Sequence, residues 1–195
     1  MFKKKLDIDK MLNPLDINKN SMIEFNLDDL KDMGFLRFRK IIQMDVGKRS
    51  FTRYLLYSQS EEQELVLEVF TLPSGQKEVF LYEMIETIPF TPEFLEVVGQ
   101  KYLTTPEGDE YERCIMSDMD CRIDGTNGSI KVYDLESEKI ERQVEVEIWD
   151  YQREAEGYTE FLNIEMLKEN GMFRIFVGQM LEDVFYKLYQ GMDKD

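Results

Sequence analysis

Residues 158–179 read YTEFLNIEMLKENGMFRIFVGQ and give the strongest hairpin signal in the chain. Two runs rich in β-branched and aromatic residues flank Asn170-Gly171, a pair that readily takes the positive φ angles of a tight turn. Residues 65–84 repeat this order, with an apolar run, a turn that contains Gly75 and a second apolar run. The two stretches predict antiparallel hairpins, around which the rest of the chain is arranged.

Other segments also have strand character. Residues 140–153 alternate between apolar and polar side chains, which predicts a strand with one buried face. Val144, Val146 and Ile148 lie on its apolar face, and Glu145, Glu147 and Trp149 lie on the other. Further strands are predicted at residues 35–45, 49–58, 111–116 and 130–135.

Short helices are predicted at three places. Asn26 is a suitable N-cap for a helix over residues 27–33. Thr91 is a suitable N-cap for a second helix, with Pro92 at its first position and Gly99 at its end. Residues 181–189 have apolar side chains at the spacing of a short amphipathic helix.

These elements predict an α+β fold that is mainly antiparallel β, with two similar curved antiparallel sheets and short helices. The two parts of the chain share an order of strand, strand with an internal Arg, hairpin and short helix. In that alignment Arg53 matches Arg142, and Glu68 matches Glu165. An internal duplication would produce the likeness, and so would the period-2 patterning that any two meanders share.

The domain prediction follows from the same pattern. We expect a flexible N-terminal tail at residues 1–20 and a single globular domain at residues 21–190. The finer hypothesis divides that domain into two β-rich halves, residues 21–100 and 101–190.

Charge restricts the partners. The chain of 195 residues has 24 Lys plus Arg against 40 Asp plus Glu, a net charge of −16. Phosphate backbones and anionic membranes repel such a chain, so we expect no nucleic acid among its ligands and favour a basic protein partner. No apolar run approaches the roughly 18 residues of a membrane span, and the start of the chain lacks a secretory pattern, which predicts a cytoplasmic location.

The residue types exclude several chemistries. The chain has no histidine, so it cannot form a Ser-His-Asp arrangement or a histidine-based zinc site. It contains no glycine-rich phosphate loop. Cys114 and Cys121 allow a disulfide, but a cytoplasmic location favours two reduced thiols. We therefore predict no catalytic, cofactor-binding or metal-binding residue, and a protein that is not an enzyme.

One loop has the composition of a cation site. Asp118, Asp120 and Asp124, followed by Asn127, place oxygen ligands on a glycine-containing loop, which suits a hard cation such as calcium. The spacing misses the EF-hand pattern because Arg122 occupies its fifth position. The alternative is a solvated turn.

Two further features have a structural interpretation. Arg53 and Arg142 lie inside predicted strands, and each is predicted to pair with a carboxylate such as Glu68 or Glu165. The aromatic residues are spaced as in a sheet core, and an exposed aromatic face for a partner is the alternative. This group contains Phe80, Tyr82, Trp149, Tyr151, Phe161, Phe173 and Phe176.

The order of these pieces resembles the YjfK-like bacterial proteins, a family of unknown function. The matching pieces are SFTRYLLYS, LVLEV, EVFLYEMIETIPFTPEFLEVVG, GDEYERCI, VEIWDYQRE, YTEFLNIEM and FRIFVGQML, within residues 22–186. The resemblance implies genes that lie near membrane-stress proteins of the phage-shock type. It implies no established activity and brings no functional residues.

The first functional hypothesis is therefore a non-enzymatic cytoplasmic accessory protein that binds a basic protein or a membrane-stress assembly. The second is an acidic inhibitor, such as a toxin-immunity or DNA-mimic protein. The third is a carboxylate-based hydrolase with converging Asp or Glu side chains in a deep pocket.

Overall fold

The computed structural model describes residues 16–57, 64–114, 124–135, 137 and 139–190. These residues form antiparallel strands, together with one short α-helix and one 3₁₀ helix. The strands are β1 (Met22–Phe25), β2 (Leu36–Val46), β3 (Arg49–Tyr57), β4 (Glu64–Thr71), β5 (Lys77–Pro89), β6 (Tyr102–Thr104), β7 (Glu110–Arg113), β8 (Thr126–Asp134), β9 (Ile140–Glu154), β10 (Thr159–Leu167), β11 (Met172–Leu181) and β12 (Tyr186–Tyr189). The α-helix is α1 (Pro92–Val98), and the 3₁₀ helix is Lys31–Met33.

Eight strands close into a barrel in the order β2, β3, β4, β5, β11, β10, β9 and β8. Closure depends on β8, which pairs with β9 along one edge and with β2 along the other. The prediction of an α+β fold with two similar curved sheets is therefore wrong. Two four-stranded meanders, β2 to β5 and β8 to β11, instead meet at both edges and enclose one interior. The pairing of β2 with β8 joins segments far apart in sequence, so local alternation did not reveal it.

The four remaining strands extend this hydrogen-bonded sheet outside the ring. β1 pairs with β12 and with the beginning of β2, while β7 pairs with β6 and with the end of β9. β2 pairs with β1 at Leu36 and Arg37 and with β8 from Lys40 onward. β9 pairs with β8 up to Ile148 and with β7 near Tyr151. Along one edge each, β2 and β9 thus pair with a barrel strand over one part of their length and with an outer strand over another.

The outer strands bury apolar side chains on the outside of the barrel. β1 and β12 cover the outward faces of β3, β4 and β5, where Leu67 is fully buried. α1, β6 and β7 cover the outward faces of β9, β10 and β11, where Trp149 is 1% exposed. Trp149 was predicted on a polar face. β9 has one buried face from Val144 to Ile148, as predicted, but beyond it the buried positions are Trp149 and Tyr151 on the other face, because this outer layer covers them.

Both predicted hairpins are confirmed. β10 and β11 pair from Glu160 with Gln179 to Leu167 with Met172, and Gly171 has a φ of 65°. The loop between them has four residues, so the Asn-Gly pair forms the end of a wider turn. β4 and β5 form the earlier hairpin. α1 is confirmed too, since the Thr91 hydroxyl accepts a hydrogen bond from the Phe94 amide at 3.1 Å.

The other two predicted helices are wrong. Residues 27–33 form turns and the 3₁₀ helix, with no side-chain cap on that helix. In residues 181–189, Leu181 ends β11 and the last four residues form β12. Val184 is 65% exposed, so the helical spacing of apolar residues there does not mark a buried face. Pairing with β1 decides the conformation, as tertiary contacts override weak local patterns.

Residues 1–15 of the predicted tail lie outside the described residues, and Ile17 is buried in the outer cluster under β1 and β12. Among the described residues, no helix is both long and apolar enough to cross a membrane.

Candidate functional site

Arg53 lies at the centre of the barrel interior. Alternation along β3 turns Phe51, Arg53 and Leu55 inward, and the arginine is 2% exposed. Its Nε donates to Glu68 Oε2 at 2.7 Å on the neighbouring strand β4. Its two terminal nitrogens reach across the barrel to β10, where Nη1 donates to Glu165 and Nη2 donates to Asn163 Oδ1 at 3.1 Å. One side chain therefore ties together three strands of the ring.

The contacts of Arg53 continue into a network of buried and partly buried polar groups. Arg174 Nη2 on β11 donates to Glu165 Oε2 at 2.5 Å, so this carboxylate binds two arginines. In the other direction, Asn163 Nδ2 donates to Asp150 Oδ1 on β9 at 2.7 Å. Asp150 Oδ2 accepts from Arg49 Nη2 at 2.5 Å, and Arg49 lies on β3, the strand that also carries Arg53. Three arginines and three carboxylates balance in charge, as a buried network requires.

The two carboxylates around Arg53 respond differently to burial. Burial raises the pKa of Glu68, and the Arg53 guanidinium only partly opposes it. Burial also acts to raise the pKa of Glu165, but Arg53 and Arg174 outweigh it, and the net result is a lowered pKa. Glu165 is therefore firmly ionised at neutral pH, whereas Glu68 depends on Arg53 to stay charged.

Aromatic rings surround the guanidinium of Arg53. Its central carbon lies 5.5 Å from the ring centroid of Phe51 and 5.4 Å from those of Tyr82 and Phe176. The negative face of an aromatic ring attracts a cation within about 6 Å. The barrel interior thus already holds one cation between aromatic rings.

A cavity of about 260 Å³ lies above this network, at one end of the barrel. It occurs where β3 and β5 begin and where β4 and β9 end, so we call it the mouth cavity. Arg53 and Glu68 form its floor, and Glu78, at the start of β5, pairs across the ladder with Phe70. The mouth cavity is lined by Arg49, Phe51, Arg53, Glu68, Phe70, Glu78, Phe80, Tyr82, Cys114, Asp150, Tyr151, Phe161 and Leu162.

The walls of the mouth cavity are largely aromatic. The Phe80 and Phe161 rings meet edge to face with centroids 5.4 Å apart, and Phe80 stacks on Tyr82 at 6.3 Å. An apolar cavity with a few convergent polar groups is typical of a ligand site, although this one lies just below the range of about 300–1,000 Å³ for drug-sized ligands. Phe80, Tyr82 and Phe161 were predicted as sheet core, and they do pack in one core cluster of the structure, where they also line the cavity.

Cys114 is a free thiol that also lines the mouth cavity. Burial and the Asp150 carboxylate raise its pKa to about 11. A thiol with that pKa is almost entirely protonated at neutral pH and is a poor nucleophile. The other predicted thiol, Cys121, lies outside the described residues.

Comparisons with known proteins add nothing to this geometry, because no family model, curated protein or solved structure matches the chain. The resemblance to the YjfK-like family stays a prediction based on the sequence pieces that carry it.

The prediction for Arg53 is confirmed, and it pairs with both of the carboxylates named, Glu68 and Glu165. Arg142 also pairs with a carboxylate, as predicted, but with neither of the two that were named as examples. Arg142 pairs with Glu169 at the surface, and both side chains are more than 40% exposed. In the ladder Glu68 faces Arg53 but Glu165 faces Ile148, so Arg142 is not the counterpart of Arg53 in the second meander.

The loop predicted as a cation site lies mostly outside the described residues, which include neither Asp118 nor Asp120. Asp124 is exposed, and its main-chain carbonyl accepts from Arg113 Nη2 at 2.7 Å. The Asn127 side chain accepts from Lys168. Within the described ranges, no group of three or more Cys, Asp or Glu side chains could hold a metal ion.

The sequence did not reveal the roles of Arg49, Asp150 and Asn163. A signal was present, because Asn163 and Glu165 share the inward face of β10 with the apolar Phe161 and Leu167. Polar residues at alternate positions of a buried strand need partners across the interior. Those partners come from strands whose position in the ring the local pattern does not give.

Proposed function

We propose that this protein is a non-enzymatic cytoplasmic protein that binds a basic protein partner at the mouth cavity. The observation that carries this proposal is the combination of aromatic walls with a floor whose charges already pair with each other. Such a surface can receive an apolar or cationic group from a partner, because the paired charges of its floor, Arg53 and Glu68, need no further neutralisation.

The chemistry of the lining groups supports binding rather than catalysis. The Asp150 carboxylate binds Arg49 and Asn163, and the Glu68 carboxylate binds Arg53. A general base must be free to reach a substrate proton, and these two carboxylates are engaged. The protonated Cys114 thiol is a weak nucleophile. Glu78, the third lining carboxylate, is the only one of them without an ion pair among the described residues, whereas the carboxylate-hydrolase hypothesis requires converging carboxylates. That hypothesis is therefore less favoured than the binding hypothesis for this cavity.

The overall charge supports a basic partner. A net charge of −16 attracts basic proteins over distances of about a Debye length and repels polyanions. The resemblance to the YjfK-like family suggests a membrane-stress assembly as the setting, which we include in the proposal. The acidic-inhibitor hypothesis predicts instead that acidic side chains cluster on one face with phosphate-like spacing.

The test is an affinity purification of the full-length protein from its own cells at low salt. The wild type is compared with the double variant Phe80→Ala/Phe161→Ala, and Phe185→Ala is the matched control at an exposed ring outside the cavity. We expect the wild type and the control to recover the same basic protein, and the cavity variant to lose it while its circular dichroism remains native. Equal recovery by all three, or recovery of no basic protein, would contradict the proposal.

A further inference from the structure

We propose that the mouth cavity is a cage for an alkylammonium group and that a lysine side chain of the basic partner supplies it. This inference rests on the proposed binding function and adds the chemistry of the group that is bound. Three features of the cavity carry it: its ring faces, its charge and a buried donor beside it.

The ring faces come first. Phe51, Tyr82 and, deeper in the barrel, Phe176 already hold the Arg53 guanidinium at 5.4–5.5 Å. Phe70, Phe80 and Phe161 add a second set of rings nearer the mouth. Aromatic rings around a site attract quaternary and alkyl ammonium groups through their negative faces. The upper rings thus form a site for a second cation, outside the one that Arg53 occupies.

The charge of the residues that line the cavity also favours a bound cation. Arg49 and Arg53 line the mouth cavity together with three carboxylates, those of Glu68, Glu78 and Asp150. Arg49 pairs with Asp150, and Arg53 pairs with Glu68. Among the charged lining residues that the structure describes, Glu78 alone has no ion pair. One negative charge is left over, which complements a single monovalent cation.

Other ligand charges fit less well. An anion would need a free arginine, but both lining arginines already bind carboxylates, and Glu78 would repel it. A neutral apolar group would fill the cavity without using Glu78. An alkylammonium group uses both features, since its carbon chain contacts the rings while its charge meets Glu78.

A buried donor favours a peptide as the source. The Nε atom of Arg49, a residue that lines the cavity, is buried and has no hydrogen-bond acceptor among the described residues. Such an atom needs an acceptor, and the main-chain carbonyl of a bound peptide can supply one once the Arg49 side chain turns toward the cavity, because this atom is inaccessible to water in the free protein. A free amine carries no carbonyl. We therefore assign the ammonium group to a lysine side chain within a peptide.

The experiment uses the ¹⁵N-labelled full-length protein and follows amide shifts in NMR titrations at constant ionic strength. The small probes are n-butylammonium, n-butanol and butyrate, which share a carbon chain and differ in charge. The peptide probes are a short Gly-Ser peptide with one central lysine and the same peptide with norleucine. We expect saturable shifts at the cavity residues that are strongest for the lysine peptide, weaker for n-butylammonium, weaker still for n-butanol, and absent for butyrate.

The variant Glu78→Gln isolates the charge. It should weaken n-butylammonium and the lysine peptide about fivefold and leave n-butanol unchanged. Glu83→Gln is the matched control, because Glu83 lies on the same strand with its side chain on the opposite face. It should change none of the affinities. The native amide spectrum of each variant confirms that it folds.

Several results would overturn the inference. They are equal binding of n-butanol and n-butylammonium, binding of butyrate, no effect of Glu78→Gln, and binding of n-butylammonium but not of the lysine peptide. The purification described above distinguishes this failure from that of the proposed function. If partner recovery needs Phe80 and Phe161 but the cavity shows no preference for cations, only the alkylammonium inference fails. If the cavity prefers cations but Phe80→Ala/Phe161→Ala keeps the partner, the proposed function fails.

Discussion

Replacement of Arg53 by methionine should cost about 3–5 kcal/mol of unfolding free energy, the usual cost of removing one partner from a buried ion pair. The structure explains why the loss is this large. Glu165 keeps Arg174 as a partner, but Glu68 loses its ion pair, and its side chain is only 12% exposed. One buried negative charge is then uncompensated. Asn163 also loses the donor that Arg53 supplied to its side-chain oxygen.

Two further variants separate the charge from the packing. In Arg53→Met/Glu68→Met the uncompensated charge is gone, and the remaining pair of Glu165 with Arg174 is balanced. We expect this double variant to recover most of the lost stability, since an apolar replacement of a buried pair is often neutral. Arg142→Met is the matched control for a strand arginine at the surface, and it should cost less than about 1 kcal/mol.

The pH dependence gives an independent check. In the wild type Arg53 opposes the rise that burial causes in the Glu68 pKa, so its removal lets that pKa rise further. The folded variant then binds a proton that the unfolded chain, with an ordinary glutamate pKa, does not. The contribution of Glu68 to the stability of the variant therefore increases as the pH falls. The difference between Arg53→Met and the wild type should be largest at pH 7 and smaller at pH 5.

Equilibrium urea unfolding measures all of these values, with Trp149, the only tryptophan, as the fluorescent reporter. The reasoning is refuted if Arg53→Met costs no more than Arg142→Met, or if the double variant is as unstable as the single one. A difference from the wild type that grows as the pH falls would also refute it, because it would mean that Glu68 does not carry the uncompensated charge.

Three other predictions follow from local geometry. Thr91→Ala removes the hydroxyl that caps α1 and should cost about 1 kcal/mol in urea unfolding. Gly178→Ala places a methyl group against the Leu81 carbonyl on the neighbouring strand and should cost about 1–3 kcal/mol, whereas Gly99→Ala, in ordinary helical backbone, should cost much less. In a Cys121→Ser background, Cys114 should react with iodoacetamide far more slowly than glutathione at pH 8, because a thiol with a pKa of about 11 is ionised only to roughly one part in a thousand at that pH. Reaction at the rate of glutathione would mean that Asp150 and burial do not suppress the thiolate.

Local features of this fold could be predicted from the sequence because short-range chemistry determines them. Asn170-Gly171, Pro92 and the Thr91 cap each act within a few residues, and their elements form as predicted. Residues 181–189 show the limit of this approach. Their apolar spacing fits a helix, but pairing with β1, more than 150 residues earlier, makes the last four residues a strand.

The closed barrel could not be predicted because alternation along one strand does not identify its neighbours. Period-2 patterning shows that β2 and β8 each have an inward face, but the same pattern fits two open sheets or one ring. Only the pairing of residues such as Ile42 with Val132 decides between them. The polar network of the site could not be predicted in full for the same reason, since Arg53 binds Glu68 on an adjacent strand but also Glu165 across the barrel.

The ion pairs of Arg53 with Glu68 and Glu165 give a physical reason why the strands of the ring keep their register. In β3 and β4 a slip of one residue would move Arg53 out of line with Glu68 and turn one of the two toward the outer apolar cluster. An apolar pair at these positions would tolerate such a slip more easily, because hydrophobic contacts are not directional. A buried ion pair costs several times more when it is broken than it contributes when it is formed. The buried ion pairs thus favour one strand register over registers shifted by a residue. The same register fixes the positions of the aromatic rings that line the mouth cavity.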